Sequence, residues 1–215
     1  YEISACLVGS EMCIRDRASM AEQQSPDYCF PNTLEAILAL QAVVGLIETA
    51  PKALYYLGNL WYDKRQYAEA VAAWEKSIEQ DSEFPTVCRN LSLAYFNKLD
   101  RKQEAVALLE KAFYLDTNDA RILMELDQLY KRLNRPHKER LALLDAYKEL
   151  TFSRDDLSLE YVTLLNQLGR YEEALHLIDT RQFHPWEGGE GKVPAQYQLC
   201  RVQLAVSYTH LRAHE

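Results

Sequence analysis

The chain has 215 residues and a formal net charge of −8, with 24 lysines and arginines against 32 aspartates and glutamates. This acidic balance lacks the basic footprint that neutralises phosphates, so nucleic acid is not expected as a partner. The five cysteines are scattered, which predicts neither a disulfide framework nor a metal site, and no apolar run approaches the length of a membrane span.

The two ends of the chain are related through one DNA sequence. Residues 206–215, VSYTHLRAHE, can be written in codons whose opposite strand translates as LVGSEMCIRD, the sequence of residues 7–16. A natural inverted repeat is one reading, but the nucleotides resemble a transposase adaptor used in sequencing libraries. The favoured interpretation is that 1–17 and 206–215 are adaptor-derived, that 18–31 is a linker or fragment edge, and that the sequence between is truncated on both sides.

The stretch between these ends has the usual size of one domain or one run of repeats, and its cysteines indicate a reducing compartment. Cys29, Cys88 and Cys200 are odd in number and far apart, which favours buried, reduced thiols and a cytoplasmic location. A secretion signal, if the protein has one, would lie upstream of the truncation.

A helical repeat is predicted over residues 32–205. Residues 32–47 read as a helix leading into the first copy, and segments 53–85 and 87–119 then align. Leu57 falls on Leu91, 34 residues later, and with one residue inserted in the connecting turn Ala70 falls on Ala105. A third copy begins near residue 123 and a fourth near residue 157.

The pattern within each copy is that of two packed helices. Apolar residues recur at helical spacing, and the small side chains of Gly58 and Ser92 are predicted to let two helices cross closely. Pro51 and Pro85 predict helix starts, and Asn118 and Ser153 predict N-caps.

This pattern resembles the tetratricopeptide repeat, a helix-turn-helix unit. The resemblance implies an all-α fold, a right-handed α-solenoid of antiparallel helix pairs whose first helices line a concave groove. Aromatic, amide and cationic side chains in that groove suit an extended peptide or a protein partner. The residues at the family's groove positions, and therefore the expected partner-binding residues, are Tyr55, Asn59, Tyr62, Arg89, Phe96, Gln128 and Lys131. A C-terminal carboxylate ligand is not favoured, because Leu93 replaces the next polar position that chaperone-tail-binding members use.

The third copy departs from this pattern. Asp127 occupies the small-residue place and Glu139 is expected at the alanine place. An aspartate in a tight crossing needs a partner, for which Lys131 and Arg132 are the candidates, or an exit to water. We expect the packing to open there.

No stretch of the chain predicts an enzyme or a cofactor site. Residues 116–121, DTNDAR, lack the glycine of a calcium loop, and His137, His176 and His184 are too far apart to predict a metal site. Glycines followed by Lys192 suggest a phosphate loop, but Trp186 and Val193 replace residues that it requires. This stretch is expected to be a connector, with ligand contact through His184, Trp186 and Lys192 as the alternative.

Several stretches resemble one group of bacterial proteins more closely. They are DYCFPN, YYLGNLWYDKRQY, ELDQLYKRLNRP, EYVTLLNQLGRYEEAL and FHPWEGGEGKV. These proteins pair a tetratricopeptide array with an N-terminal domain of unknown function 5107, and the likeness runs from residue 27 to about 205. The resemblance implies that a β-rich N-terminal domain, associated with carbohydrate, is missing here.

Two hypotheses follow for function. The first is a non-catalytic scaffold that binds a protein, a peptide or its parent's missing N-terminal domain through the groove. The alternative is a helical accessory region of a larger carbohydrate-active protein, with the loop 184–193 near a sugar site.

Overall fold

The structure is a computed structural model that describes residues 22, 25–26 and 31–212, and of residues 208–212 the backbone alone. Every regular element in these ranges is an α-helix, so the all-α class predicted from the sequence is confirmed. The helices are α1 (Leu34–Leu46), α2 (Pro51–Asp63), α3 (Tyr67–Gln80), α4 (Pro85–Lys98), α5 (Lys102–Leu115), α6 (Ala120–Arg132), α7 (His137–Ala146), α8 (Lys148–Phe152), α9 (Asp155–Gln167), α10 (Tyr171–Thr180) and α11 (Lys192–Arg212).

Some predictions fall on other parts of the chain. Residues 1–17, Cys29 and most of the linker 18–31 lie outside the described residues, as do residues 213–215. Helix α11 continues without a break from Lys192 through residues 206–212. The domain boundaries proposed from the sequence therefore stay predictions.

The chain divides into two compact units, Tyr1–Asp116 and Thr117–Glu215, here called unit 1 and unit 2. In unit 1 the pairs α2–α3 and α4–α5 pack most extensively, and α1 packs on α2. In unit 2, α9 packs on α7, α8 and α10, and α11 packs on α10 and α9. Four consecutive pairs, α2–α3, α4–α5, α6–α7 and α9–α10, each have a first and a second helix, and these two terms are used below.

The turn inside each pair uses one residue in the left-handed region. These residues are Arg65 (φ 61°), Asn134 (φ 55°) and Gly169 (φ 75°), and Asp100 (φ 54°) in the second pair. In three turns the next backbone N–H donates to the carbonyl five residues earlier, as from Gln66 to Trp61 at 2.8 Å. This is a helix-terminating bond that satisfies an orphan carbonyl.

The second turn is longer. Arg101 N–H donates to Tyr95 O at 3.0 Å, one residue further back than in the other turns. The residue inserted in this turn on alignment is thereby confirmed.

The predicted helix starts and caps have different outcomes. Helices α2 and α4 begin at Pro51 and Pro85, as predicted. The two caps are wrong: Asp119 rather than Asn118 caps α6, accepting from Ile122 N–H at 3.2 Å. Ser153 is the C-cap residue of α8, with its hydroxyl donating to Leu150 O at 2.7 Å, and Arg154 rather than Ser153 is the N-cap residue of α9. At α6 the Asp119 carboxylate, one residue closer to the helix than the Asn118 amide, accepts the N-terminal N–H groups instead.

The crossings of unit 1 are close, as the small side chains predict. A Cβ added at Gly58 would overlap the Trp74 indole, which is buried and donates from Nε1 to Tyr55 O at 3.2 Å. In the next pair the buried Ser92 hydroxyl donates to Ala105 O at 2.6 Å. Small residues therefore bring the second helix directly against the first helix's backbone.

The crossing in the third pair contains a buried ion pair. Arg140, 2% exposed, donates to both carboxylate oxygens of Asp127 at 3.0 and 2.7 Å. In the second helices of the other pairs, the buried alanine lies four residues after the N-cap residue. Helix α7 begins one residue later than the sequence alignment predicts, with Pro136 as its N-cap residue. The alanine place thus belongs to Arg140 and not to Glu139, which is exposed.

The partners predicted for Asp127 need the same correction. Arg140 of the second helix, rather than Lys131 or Arg132 of its own helix, binds the carboxylate. Packing between α6 and α7 is less extensive than in the pairs of unit 1, which agrees with the expected opening. A guanidinium needs more room than an alanine methyl.

Two of the predicted thiols lie in the described part of the chain. Cys88 and Cys200 are free and buried, and burial raises the pKa of each. In the described ranges, no helix combines the length and the apolar character needed to cross a bilayer.

Candidate functional site

The first helices of unit 1 are joined by three polar side chains. Arg89 Nη1 donates to Asn90 Oδ1 at 3.1 Å, and Asn90 Nδ2 donates to Asn59 Oδ1 at 3.0 Å. All three are half-buried. The chain of hydrogen bonds orients the Asn59 amide so that its nitrogen donates to no described residue, which leaves a fixed donor for a ligand carbonyl.

Sequence reasoning identified Asn59 and Arg89 but missed Asn90. The family's groove positions do not include the residue that follows Arg89, so the resemblance does not point to Asn90. The signal that would have found it is the spacing of 31 residues from Asn59, three short of the repeat, which places two side chains on facing turns of successive first helices.

The predicted aromatic groove residues differ in how far they reach the surface. Tyr62 is half-buried, with its ring 5.1 Å from that of Tyr67 and 5.5 Å from that of Trp74. Phe96 is also half-buried. Tyr55 is 3% exposed, packed 5.1 Å from Phe84. It therefore belongs to the core, and its place on a partner-binding surface is corrected, because Phe84 covers it.

In unit 2 the predicted groove residues are Gln128 and Lys131, both exposed on α6. Lys131 Nζ donates to Glu160 Oε1 on α9 at 2.8 Å, and Arg140 Nη2 donates to the same oxygen at 2.6 Å. Burial alone would raise the pKa of Glu160, but these cations outweigh it and hold the pKa below its usual value. Lys131 is therefore fixed by an acceptor on the neighbouring helix.

A third polar contact of this kind joins α9 to α11. Asn166 is buried; its Nδ2 donates to Gln196 Oε1 at 2.9 Å, and its Oδ1 accepts from the Cys200 thiol at 3.0 Å. The contact is similar to Asn59–Asn90 and Lys131–Glu160, each of which joins two first helices. This similarity gives α11 the place of a first helix.

Hydrogen bonds to Asp155, the first residue of α9, hold the beginning of the loop 184–193. Asp155 accepts from Arg181 Nη2 at 2.9 Å, from His184 N–H at 3.0 Å, and contacts His184 Nδ1 at 3.1 Å. Burial would raise the pKa of Asp155, but these hydrogen bonds prevail and lower it. The side chain of His184 is therefore engaged in anchoring the loop, although it is largely exposed.

The other two predicted loop residues are placed further along. The half-buried Trp186 indole covers Gly189 so closely that a Cβ there would overlap it. Lys192 is exposed and begins α11, its N–H donating to Gly189 O at 3.1 Å. The loop is thus an ordered turn built around one tryptophan.

A shallow cleft of about 370 Å³ lies between the start of α8 and the helices α9 and α10. Tyr161 forms one wall and donates to Asp145 Oδ1 at 2.8 Å; its burial and this carboxylate raise the pKa of Tyr161 to about 12. The remaining lining residues are Lys148, Leu165, Glu172, Glu173, His176 and Leu177. Across the part of the chain that the structure describes, no three His, Cys, Asp or Glu side chains are grouped to hold a metal ion.

Comparison with known proteins identifies the repeat. Residues 51–84, which span the α2–α3 pair, match the tetratricopeptide repeat family. The chain therefore contains a tetratricopeptide repeat, as the sequence pattern predicts.

Solved structures show the same fold. A MamA structure superposes with a TM-score of 0.57 at 18% identity, covering 92% of this chain and 93% of that one, and a MamA RS-1 double mutant reaches 0.59 at 14% identity, with 88% and 96% covered. YrrB, described as a TPR protein with an unusual peptide-binding site, gives 0.57 at 17% identity, with 93% and 92% covered. At these identities the likeness establishes the fold alone.

Proposed function

We propose that this chain is a non-catalytic scaffold that binds an extended peptide segment of a partner protein. The surface is formed in unit 1 by α2 and α4, with Asn59, Arg89 and Asn90 at its centre and Tyr62 and Phe96 beside them. The observation that carries the proposal is the Arg89–Asn90–Asn59 hydrogen-bond chain, which holds an amide donor ready.

The chemistry of this surface suits a peptide backbone. The Asn59 amide donates to a peptide carbonyl, and the Arg89 guanidinium attracts an acidic side chain. The half-buried rings of Tyr62 and Phe96 add apolar area at a low entropic cost. YrrB, with the same fold, has a peptide-binding site, which supports this use of the scaffold. The N-terminal domain implied by the closer resemblance is a second source of such a segment.

In unit 2, taken by itself, we propose Gln128 and Lys131 as a separate set of partner contacts. Lys131 already donates to Glu160, so a ligand would have to compete with that carboxylate. We expect its contribution to be smaller than that of Asn59.

Selection of a displayed library of extended peptides, followed by fluorescence anisotropy with the selected peptide, tests the proposal. Asn59→Ala and Arg89→Ala should each weaken binding by about five- to thirtyfold, as expected for central contacts worth about 1–2 kcal/mol. Lys76→Ala, which removes an exposed cation from a second helix, should leave affinity unchanged. Equal affinity for all three variants, with unchanged thermal melting, would exclude this surface.

A second candidate function uses the ordered loop. Trp186 is fixed over Gly189 and remains partly exposed, while Asp155 holds the loop's beginning through Arg181 and His184. A preorganised, partly exposed indole is suited to stack on a sugar ring. Screening the wild-type chain on a glycan array, with Trp186→Ala and Lys192→Ala alongside, tests this accessory role. Signals that survive Trp186→Ala would rule out the loop.

A further inference from the structure

The turn inside each helix pair identifies one equivalent residue near the end of the first helix. In each turn this residue's carbonyl accepts the backbone hydrogen bond that ends the first helix. The four residues are Trp61, Tyr95, Tyr130 and Leu165. Three of them carry an aromatic ring and the fourth is a leucine, so the pair α9–α10 lacks the ring that the other pairs have at this place.

Two of these rings lie against the arginine that follows their turn. The Arg101 guanidinium is 3.7 Å from the centre of the Tyr95 ring, and its Nε donates to Glu104 Oε1 at 2.8 Å. The Arg135 guanidinium is 5.4 Å from the centre of the Tyr130 ring. The place near the end of the first helix is therefore suited to an aromatic ring beside charged groups.

The pair α9–α10 keeps the charged groups without the ring. Arg170, the N-cap residue of α10, donates from Nε to Glu173 Oε1 at 2.6 Å, which is the same contact as in the second pair. Tyr161 lies one turn before Leu165 and is bound to Asp145 through its hydroxyl. The cleft described above is lined by Leu165, Tyr161 and Glu173, so it lies on the side of α9 where the other first helices carry a ring.

The lining of this cleft combines apolar and charged side chains. Its apolar residues are Tyr161, Leu165 and Leu177. Of its charged residues, Glu173 and Lys148 are paired within the chain, whereas Glu172 is exposed and forms no ion pair with another described residue. An apolar wall with one unmatched carboxylate beside it suits an aromatic side chain that is accompanied by a cation.

We propose that this cleft binds an aromatic side chain of a partner segment in which the next residue is basic. The ring packs on Leu165 and Leu177, and the basic residue pairs with Glu172. An aromatic side chain in a pocket is a common anchor of a protein interface. The site lies within unit 2 and does not depend on the surface proposed in unit 1, so either proposal can fail without the other.

Titration of the isotope-labelled full chain with N-acetylated, C-amidated dipeptides, followed by NMR, tests the proposal. Tyr-Arg should bind saturably with a Kd on the order of 1 mM and should shift the backbone amide signals around Leu165 and Leu177. Leu-Arg should bind at least about fivefold more weakly, because it supplies no ring. Tyr-Glu should bind at least about threefold more weakly, because Glu172 repels its carboxylate.

Three variants locate the binding site. Leu165→Tyr supplies a ring from within the chain, so it should melt no lower than the wild type and should lose Tyr-Arg binding. Leu177→Ala should weaken Tyr-Arg binding at least about threefold through lost apolar contact. Its matched control is Leu38→Ala, which shortens a leucine that is 65% exposed on α1 and should leave binding unchanged. Glu172→Gln should bring Tyr-Arg and Tyr-Glu to equal affinity.

Several results would overturn the proposal. Absence of Tyr-Arg binding up to about 10 mM, or equal affinity for Leu-Arg, would show that the cleft does not select a ring. If Leu165→Tyr melts below the wild type, the cleft is not the place of a ring. If Leu165→Tyr is folded and still binds Tyr-Arg, or if Leu177→Ala binds as Leu38→Ala does, the dipeptide binds elsewhere.

Discussion

The first pair of unit 2, α6–α7, has a charged crossing, whereas both pairs of unit 1 have crossings built on small residues. In unit 1, Gly58 admits the Trp74 indole, and Ser92 donates to Ala105 O. In the α6–α7 pair of unit 2, Asp127 takes the place of Gly58 and Ser92, Arg140 takes the alanine place, and the two form a buried ion pair. The turn before the second helix still contains a left-handed residue in both cases.

The difference shows which part of the repeat is fixed by backbone geometry and which by side chains. The turn sets the antiparallel return of the chain, so it recurs through both units. The crossing requires only that its contents fill the space and satisfy every buried polar atom. The crossings of unit 1 meet that requirement by close contact and by hydrogen bonds to backbone carbonyls. The aspartate and arginine of α6–α7 meet it by hydrogen bonds between their side chains.

The largest effect is expected from breaking the ion pair on one side. Arg140→Leu leaves Asp127 buried without its main partner, so the free energy of unfolding should fall by about 3–5 kcal/mol. Urea unfolding followed by circular dichroism measures this change. Glu160 loses one of its two cations as well, which adds to the loss.

The double variant distinguishes the pair from its parts. Asp127→Ala with Arg140→Leu removes both charges and leaves an apolar crossing like that of unit 1. Its stability should return to within about 1–2 kcal/mol of the wild type. A double variant as unstable as Arg140→Leu alone would mean that the crossing of unit 2 depends on charge itself.

A smaller loss is expected at the Gly58 crossing. The added methyl of Gly58→Ala overlaps a buried indole that its own hydrogen bond holds in place, so unfolding should cost about 1–3 kcal/mol less than in the wild type. Gly45→Ala in α1 is the matched control, because nothing lies within 4 Å of its added Cβ. There, better helix propensity should stabilise the chain by up to about 1 kcal/mol. If Gly58→Ala and Gly45→Ala changed the free energy of unfolding in the same direction, the packing explanation would be contradicted.

The sequence predicted the repeat, the inserted turn residue and the close crossings, because spacing and side-chain size are local properties. It misplaced the alanine position by one residue, since the late start of α7 after Pro136 depends on the backbone. It placed Tyr55 on a surface, although Phe84 covers that ring. It missed Asn90, because that contact depends on how neighbouring helices are set against each other.

Substitutions at the left-handed turn residues Arg65 and Gly169 should each change the free energy of unfolding by about 1 kcal/mol. Arg65 at φ 61° bears a Cβ penalty that glycine does not, so Arg65→Gly should stabilise the chain. Gly169 at φ 75° already has the favoured residue, and Gly169→Ala should destabilise it by a similar amount. Thermal unfolding of both variants checks the signs. A loss of stability in Arg65→Gly would show that the arginine side chain has a further role.

Acidification should produce the smallest effect and should act mainly on unit 2. Burial alone would raise the pKa of Glu160 and of Asp155. Hydrogen bonds from Lys131 and Arg140 outweigh burial at Glu160, and hydrogen bonds from the His184 backbone N–H and from Arg181 outweigh it at Asp155, so both pKa values are lowered. The stability these carboxylates contribute is therefore present above their unfolded pKa values, 4.5 and 3.8, and is lost as the pH falls through the lower folded values. In unit 1 burial raises the pKa of Glu22, so protonation favours the folded state there.

Hydrogen exchange measured by mass spectrometry at neutral and acidic pH, corrected for intrinsic rates, resolves the two units. Protection should fall with pH in α6 to α10 before it falls in α2 to α5. Glu160→Gln should reduce the acid sensitivity of α6, α7 and α9 while leaving α2 to α5 unchanged. The ion pair between Arg101 and Glu104 in unit 1 is exposed and should contribute little. If unit 1 loses protection first, its stability depends on a carboxylate other than Glu22.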